Sequence, residues 1–204
     1  MSDKFNNIYK IETTRLKAWD YTKPGKYFVT ICTHRRKEFF GEIIDKKMFL
    51  SDIGKIADVE LQETEKIRKN IKLDKYVIMP NHIHGIIVII NVETRRASSL
   101  QQNEQNHPNN QNKSKIQQQM SKISPKPGSL SVIIGSFKSA VTKTVNAVGC
   151  LSNGINNKYP CKNFVWQSRF NDHIIRNNKS FSNICKYIRQ NPETWDNDIN
   201  NIKK

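Results

Sequence analysis

Apolar and β-branched residues run together at Tyr27-Phe28-Val29-Thr30-Ile31-Cys32-Thr33, and this composition predicts a strand. Residues 38–44, Glu-Phe-Phe-Gly-Glu-Ile-Ile, predict a shorter strand or ribbon. The period then changes. Ile53, Ile56, Ala57 and Leu61 fall on helical spacing behind Ser51, a suitable N-cap, and predict a helix over 52–69. Alternation returns over 71–79, Pro80-Asn81 punctuates it, and His82 to Asn91 forms a second strand. Leu130, Ile133, Ile134, Phe137, Val141 and Val145 make one apolar stripe on a helix over 130–147, with Lys138 and Lys143 off the stripe. Phe164-Val165-Trp166 and residues 172–176 read as short strands. A last helix over 179–191, capped by Asn178 or Ser180, presents Phe181, Ile184 and Ile188 to a core and stops at Pro192.

The order is β-α-β-β-α-β-α, which predicts an α+β sandwich of one sheet with helices packed on it. Residues 95–128 interrupt this order. They are crowded with Gln, Asn, Ser and Lys, and cannot bury enough surface to offset their ordering entropy, so a disordered insertion is expected there. A Gly/Asn-rich loop follows at 148–162. The expected organisation is a basic N-terminal segment 1–26, a single domain made of 27–94 and 129–192, and a polar tail 193–204.

Charge narrows the choice of partner. Lys plus Arg number 34 against 18 Asp plus Glu, a formal net charge of +16, which favours a polyanion, with nucleic acid first. A solvated lysine coat is the competing reading. There is no apolar run of ~18 residues to span a membrane, and Met1-Ser2-Asp3-Lys4-Phe5 lacks an apolar signal core. Cys32, Cys150, Cys161 and Cys185 form no C-x-x-C pair, so reduced thiols, no structural zinc and a cytoplasmic location are expected.

The chemistry concentrates in two places. His82-Ile83-His84 heads a strand, where alternation sends both imidazoles to one face as a ready pair of metal ligands. Tyr187 and Asn191 lie four apart on one face of the last helix, presenting a phenol beside an amide oxygen. Taken singly, each has an ordinary structural explanation. Together they supply what breaking a phosphodiester needs. Tyr187 can attack phosphorus, and a divalent ion on His82, His84 and a third ligand, for which Asn191 is a candidate, can polarise the phosphate. Two imidazoles suggest zinc, while open positions filled by oxygen suit Mg²⁺ or Mn²⁺. Arg35, Arg36, Lys138, Arg169, Arg176, Lys186 and Arg189 are candidates for phosphate contacts, and Trp19, Tyr21 or Trp166 for stacking on bases. His173 reads as a packed strand histidine, and His34 and His107 carry no signal.

At these residues the chain resembles the REP-associated tyrosine transposases, within the single-tyrosine HUH transposases. The resemblance runs in order through residues 15–33, Arg36, residues 40–43, 76–85, 137–138, 165–176 and 187–192, and its most specific stretch is Met79-Pro80-Asn81-His82-Ile83-His84-Gly85. It implies a ferredoxin-like core with a central antiparallel sheet and helices on one face. It implies Tyr187 as nucleophile, His82 and His84 as metal ligands with Asn191 as the third, and Mg²⁺ or Mn²⁺ as the metal. It further implies single-stranded DNA with hairpin or palindromic repeats as substrate, and a monomer or homodimer. Two other functions compete: a catalytically idle nucleic-acid-binding protein of the same fold, and a replication or plasmid-transfer initiator. The second is disfavoured by the absence of a phosphate-binding G-x-x-x-x-G-K-[ST] loop.

Overall fold

The computed structural model describes residues 16, 18–91, 124–149 and 163–201, with the backbone of two short strands, β1 (Lys4–Phe5) and β2 (Ile8–Tyr9). Most of the expected 95–128 insertion, most of the 148–162 loop, Cys150, Cys161 and His107 lie outside the described residues. The remaining elements are β3 (Gly25–Cys32), β4 (Gly41–Ile44), β5 (Lys47–Leu50), α1 (Asp52–Ile67), β6 (Ile71–Met79), β7 (His82–Ile89), α2 (Leu130–Gly149), β8 (Asn171–Ile175) and α3 (Asn178–Gln190).

β6, β7, β3 and β8 form one antiparallel sheet in that spatial order, while β4 and β5 pair as a separate ribbon. Each helical connection returns the chain two strands away, so that β3 and β7 are central. This is the α+β sandwich that the element order predicts, in the ferredoxin-like arrangement that the resemblance implies. No helix among the described residues is long and apolar enough to cross a membrane.

Strand alternation divides the core in two. Tyr27, Val29 and Ile31 of β3, with Ile83, Ile87 and Ile89 of β7, pack against α1 and against the predicted α2 stripe. Phe28, Val77, Ile86, Val88 and Ile175 face the other way and pack under Phe181, Ile184 and Ile188 of α3. Helices therefore cover both faces, where the resemblance implies one. The reason lies in β3 and β7, which are apolar on both sides and would leave a hydrophobic face in water without α3. Ile188 is buried in this smaller core. Ile188→Ala is expected to destabilise the protein by ~2–4 kcal/mol, read as a shifted denaturant midpoint. An unchanged midpoint would mean that α3 is not anchored through this side chain.

The local signals differ in how well they carried over. Ser51 caps α1 as expected, its Oγ accepting from Gly54 N at 3.1 Å. Asn177, rather than Asn178 or Ser180, caps α3, its Oδ1 accepting from Ser180 N at 2.8 Å. Phe164-Val165-Trp166 does not form a strand. It makes one bridge, Thr33 to Trp166, and its aromatic rings fill the core instead. The Trp166 ring packs on Phe40, Phe137 and Phe164 at 5.1–5.7 Å between centroids. The segment read as a polar tail begins with a 3-10 helix, Pro192–Asn197, and buries Trp195, Asp198 and Asn200.

Candidate active site

β7 enters the sheet directly after the Pro80-Asn81 turn, and its first and third residues are His82 and His84. Both project from the face covered by α3, with ring centroids 4.4 Å apart, while Ile83 enters the opposite core. Both histidines are buried. Burial holds His82 well below its ordinary pKa, with the neighbouring His84 and Arg36 acting the same way. Burial likewise brings His84 down to about 4, against an opposing pull from Asp198. Both rings are therefore neutral near pH 7 and keep a lone pair for a ligand.

Hydrogen bonds decide which nitrogen carries that lone pair. Asn81 Nδ2 donates to the backbone oxygens of Arg36 at 3.1 Å and Asn200 at 2.8 Å, which fixes the amide orientation. Asn81 Oδ1 then faces His82 Nδ1 at 2.8 Å and must accept a proton from it. The unprotonated nitrogen is Nε2. It is buried and, among the described residues, has no hydrogen-bond partner. His84 is held in place by Thr30, whose Oγ1 lies 2.9 Å from Nδ1 and can donate or accept there, while Nε2 faces the Tyr187 hydroxyl. Outer partners of this kind orient metal-bound imidazoles. Asn81→Ala is expected to lower Mn²⁺ affinity by ~10–100-fold in a calorimetric titration, and unchanged affinity would sink the orienting role.

The third side of the site comes from the chain end. Asp198 brings a carboxylate oxygen to the two imidazoles, such that all three donor atoms lie within 4.8 Å of one another. Its carboxylate is oriented by Asn191 Nδ2 at 3.0 Å and by Asn200 N at 2.6 Å. Asn191 itself is fully buried at the end of α3, and its Oδ1 has no partner among the described residues. Two orphaned acceptors beside a carboxylate form a donor set of nitrogen and oxygen that fits a divalent cation.

Tyr187 stands one turn before Asn191, as the helical spacing predicts. Its hydroxyl lies 3.1 Å from His84 Nε2, and the residue is 41% exposed. Burial of the hydroxyl raises its pKa above the ordinary tyrosine value, and the Asp198 carboxylate pushes the same way. Phe28 stacks on His84 at 5.2 Å and meets Tyr187 edge-on at 6.1 Å, holding the two rings together.

The candidate cations separate into two groups. Arg35, Arg169, Arg176, Lys186 and Arg189 are exposed. Arg36 and Lys138 are committed internally. Arg36 donates to Cys32 Sγ at 2.8 Å and to Asn200 Oδ1, bracing the Asp198 segment. Lys138 donates to the backbone oxygens of Gln167 at 2.6 Å and Arg169 at 3.0 Å. Burial lowers its pKa to about 8, and its two hydrogen bonds clamp that loop onto α2. The stacking candidates are engaged as well. Trp19 Nε1 donates to the Tyr27 hydroxyl at 3.2 Å, Tyr21 packs on the core, and Trp166 Nε1 donates to Lys138 O at 3.1 Å. His173, read as a packed strand histidine, is exposed on the edge strand β8. Asp198, Asn81 and Thr30 were missed by sequence reasoning. The available signal for Asp198 was Trp195, since a large aromatic in a polar tail indicates a segment that packs.

Comparison with known proteins adds a relative and a fold. No protein-family model matches the chain. An uncharacterized protein of Haemophilus influenzae (strain ATCC 51907 / DSM 11121 / KW20 / Rd) is 30% identical over 201 residues, covering 97% of each chain. The chain belongs to the same family as this Haemophilus protein. Among solved structures, a REP-associated tyrosine transposase bound to a REP hairpin is similar, with a TM-score of 0.51 and 16% identity. The match covers 90% of this chain and 74% of that one. At that identity the similarity establishes the shared α+β fold.

Proposed function

We propose that the protein is a single-tyrosine HUH transposase, which cleaves and rejoins single-stranded, hairpin-forming DNA through a covalent bond to Tyr187. The observation that carries this reading is the Tyr187 hydroxyl 3.1 Å from His84 Nε2, at the open side of the His82, His84 and Asp198 cluster. Those three residues would hold Mn²⁺ or Mg²⁺, with Asn191 Oδ1 as a further oxygen donor. A cation bound there would act as a Lewis acid on the non-bridging oxygens of the scissile phosphate. The mixed nitrogen and oxygen set suits Mn²⁺ better than Mg²⁺, which prefers oxygen alone.

Tyr187 supplies the nucleophile. Its phenolic oxygen attacks phosphorus, its proton passes to water, and the bond from phosphorus to the 3′-oxygen breaks as that oxygen takes a proton from water. The products are a 5′-phosphotyrosine and a strand ending in a 3′-hydroxyl. Rejoining reverses the step: a 3′-hydroxyl attacks the phosphotyrosine and Tyr187 leaves, so the bond is conserved without ATP. The phenol and both imidazoles belong to one chain, so the reading requires no second copy at the centre. The exposed Arg35, Arg169, Arg176, Lys186 and Arg189 are the proposed phosphate contacts. The solved transposase of the same fold is bound to a REP hairpin, which supports hairpin DNA as the partner.

The test is direct. Palindromic sequences flanking the gene are synthesised as labelled oligonucleotides and incubated with the protein and Mn²⁺. A protein-linked band is expected on a denaturing gel. Hairpin binding with no covalent band from any of them would favour the catalytically idle binding protein instead.

A further inference from the structure

We infer that the groove beside Tyr187 seats one unpaired nucleobase of the bound strand, the base adjoining the phosphate that Tyr187 attacks; this rests on the transesterase reading above. The groove has a volume of about 640 Å³, within the ~300–1,000 Å³ of small-ligand pockets. It is lined by residues of α3 and of the sheet, and Tyr187 is one of them, so the groove adjoins the reactive centre. Phe28 lines it and is also the ring stacked on His84 at 5.2 Å. Ile184 adds apolar surface, and His173 adds a flat ring exposed on the edge strand.

The chemistry of the lining selects the occupant. A bare phosphate gains nothing from Phe28 and Ile184, whereas a base presents a flat π-face to them. None of the lining residues is acidic, and Lys179 stands among them to neutralise the phosphate of the seated nucleotide. The chain as a whole carries +16, which complements a polyanionic strand. The amide of Asn183, exposed on α3, is a group that can bond the base edge, beside Asn177 and Ser180. A duplex cannot offer a splayed base, so this seat also selects single-stranded over paired DNA at the cleavage point.

The experiment uses full-length Tyr187→Phe protein, which cannot trap DNA covalently, and single-stranded 20-mer pools carrying 5-iododeoxyuridine at random positions. Irradiation and mass spectrometry are expected to map the major crosslinks to peptides containing Phe28 or His173. Asn183→Glu, which puts a negative charge in the groove, and Asn183→Trp, which fills it without charge, are each expected to weaken pool binding about tenfold and to remove those crosslinks. Crosslinks confined to other surfaces overturn the inference. So does weakening by Asn183→Glu alone, since general repulsion would explain it. A wild-type covalent adduct without groove crosslinks removes the base seat and leaves the transesterase. Groove crosslinks with no adduct from wild-type protein overturn the transesterase and leave a base-binding groove.

Discussion

Tyr187→Phe is expected to abolish the covalent protein–DNA adduct, lowering cleavage by at least ~10³-fold, or roughly 4 kcal/mol of activation free energy. The substitution removes one oxygen and keeps the ring. The edge contact with Phe28 at 6.1 Å and the contact with His84 at 5.1 Å both depend on the ring, so folding should be preserved. What disappears is the only oxygen of this side chain that can bond phosphorus. Hairpin affinity, measured by anisotropy, should change little, because the proposed phosphate contacts lie on the exposed arginines and Lys186. Residual adduct at wild-type levels would mean that another side chain attacks, and the proposed mechanism would be lost. Affinity collapsing together with cleavage would instead assign Tyr187 to binding.

His82→Ala is the second large effect. His82 Nε2 is buried and without a partner among the described residues, so no protein group replaces a bound cation there. Losing a direct ligand should exceed the ~10–100-fold loss that removing an outer-shell partner causes. In a thermal melt, wild-type protein should rise in Tm with added Mn²⁺, as any ligand that binds only the folded state requires. The variant should show no such rise, and its cleavage should fall to the level of wild type treated with a chelator. Without metal, the two proteins should differ less in stability than an ordinary core truncation. The alanine leaves a cavity, but it also removes a buried acceptor whose isolation costs ~1–3 kcal/mol. A full Mn²⁺ shift in His82→Ala would rule out metal binding through this imidazole.

Much of the framework was readable in one dimension. The strands 27–33, 71–79 and 82–91 and the helices 52–69 and 130–147 appear close to their predicted limits, the helices because burial of one face imposes a period of 3.6 and the strands because β-branched and aromatic runs end at turn residues. Strand alternation placed His82 with His84, and helical spacing placed Tyr187 with Asn191. Phe164-Val165-Trp166 misled because its strand-like composition serves aromatic packing and not ladder pairing. The internal hydrogen bonds of Arg36 and Lys138 could not be read from charge, which gives no information about partners within the fold. Each cation meets oxygen or sulfur acceptors that other parts of the chain supply.

The sequence by itself determined the element order, the same-side histidine pair and the helical register of the phenol, since each follows from spacings of four residues or fewer. Only the tertiary structure decided that Asp198 joins His82 and His84, that Asn81 sets the histidine tautomer, and that α3 covers the second face of the sheet. Those facts join residues more than a hundred positions apart, as Asn81 and Asn200 are. Local periodicity cannot encode such contacts. They arise when two apolar faces and a set of buried polar groups must all be satisfied at once.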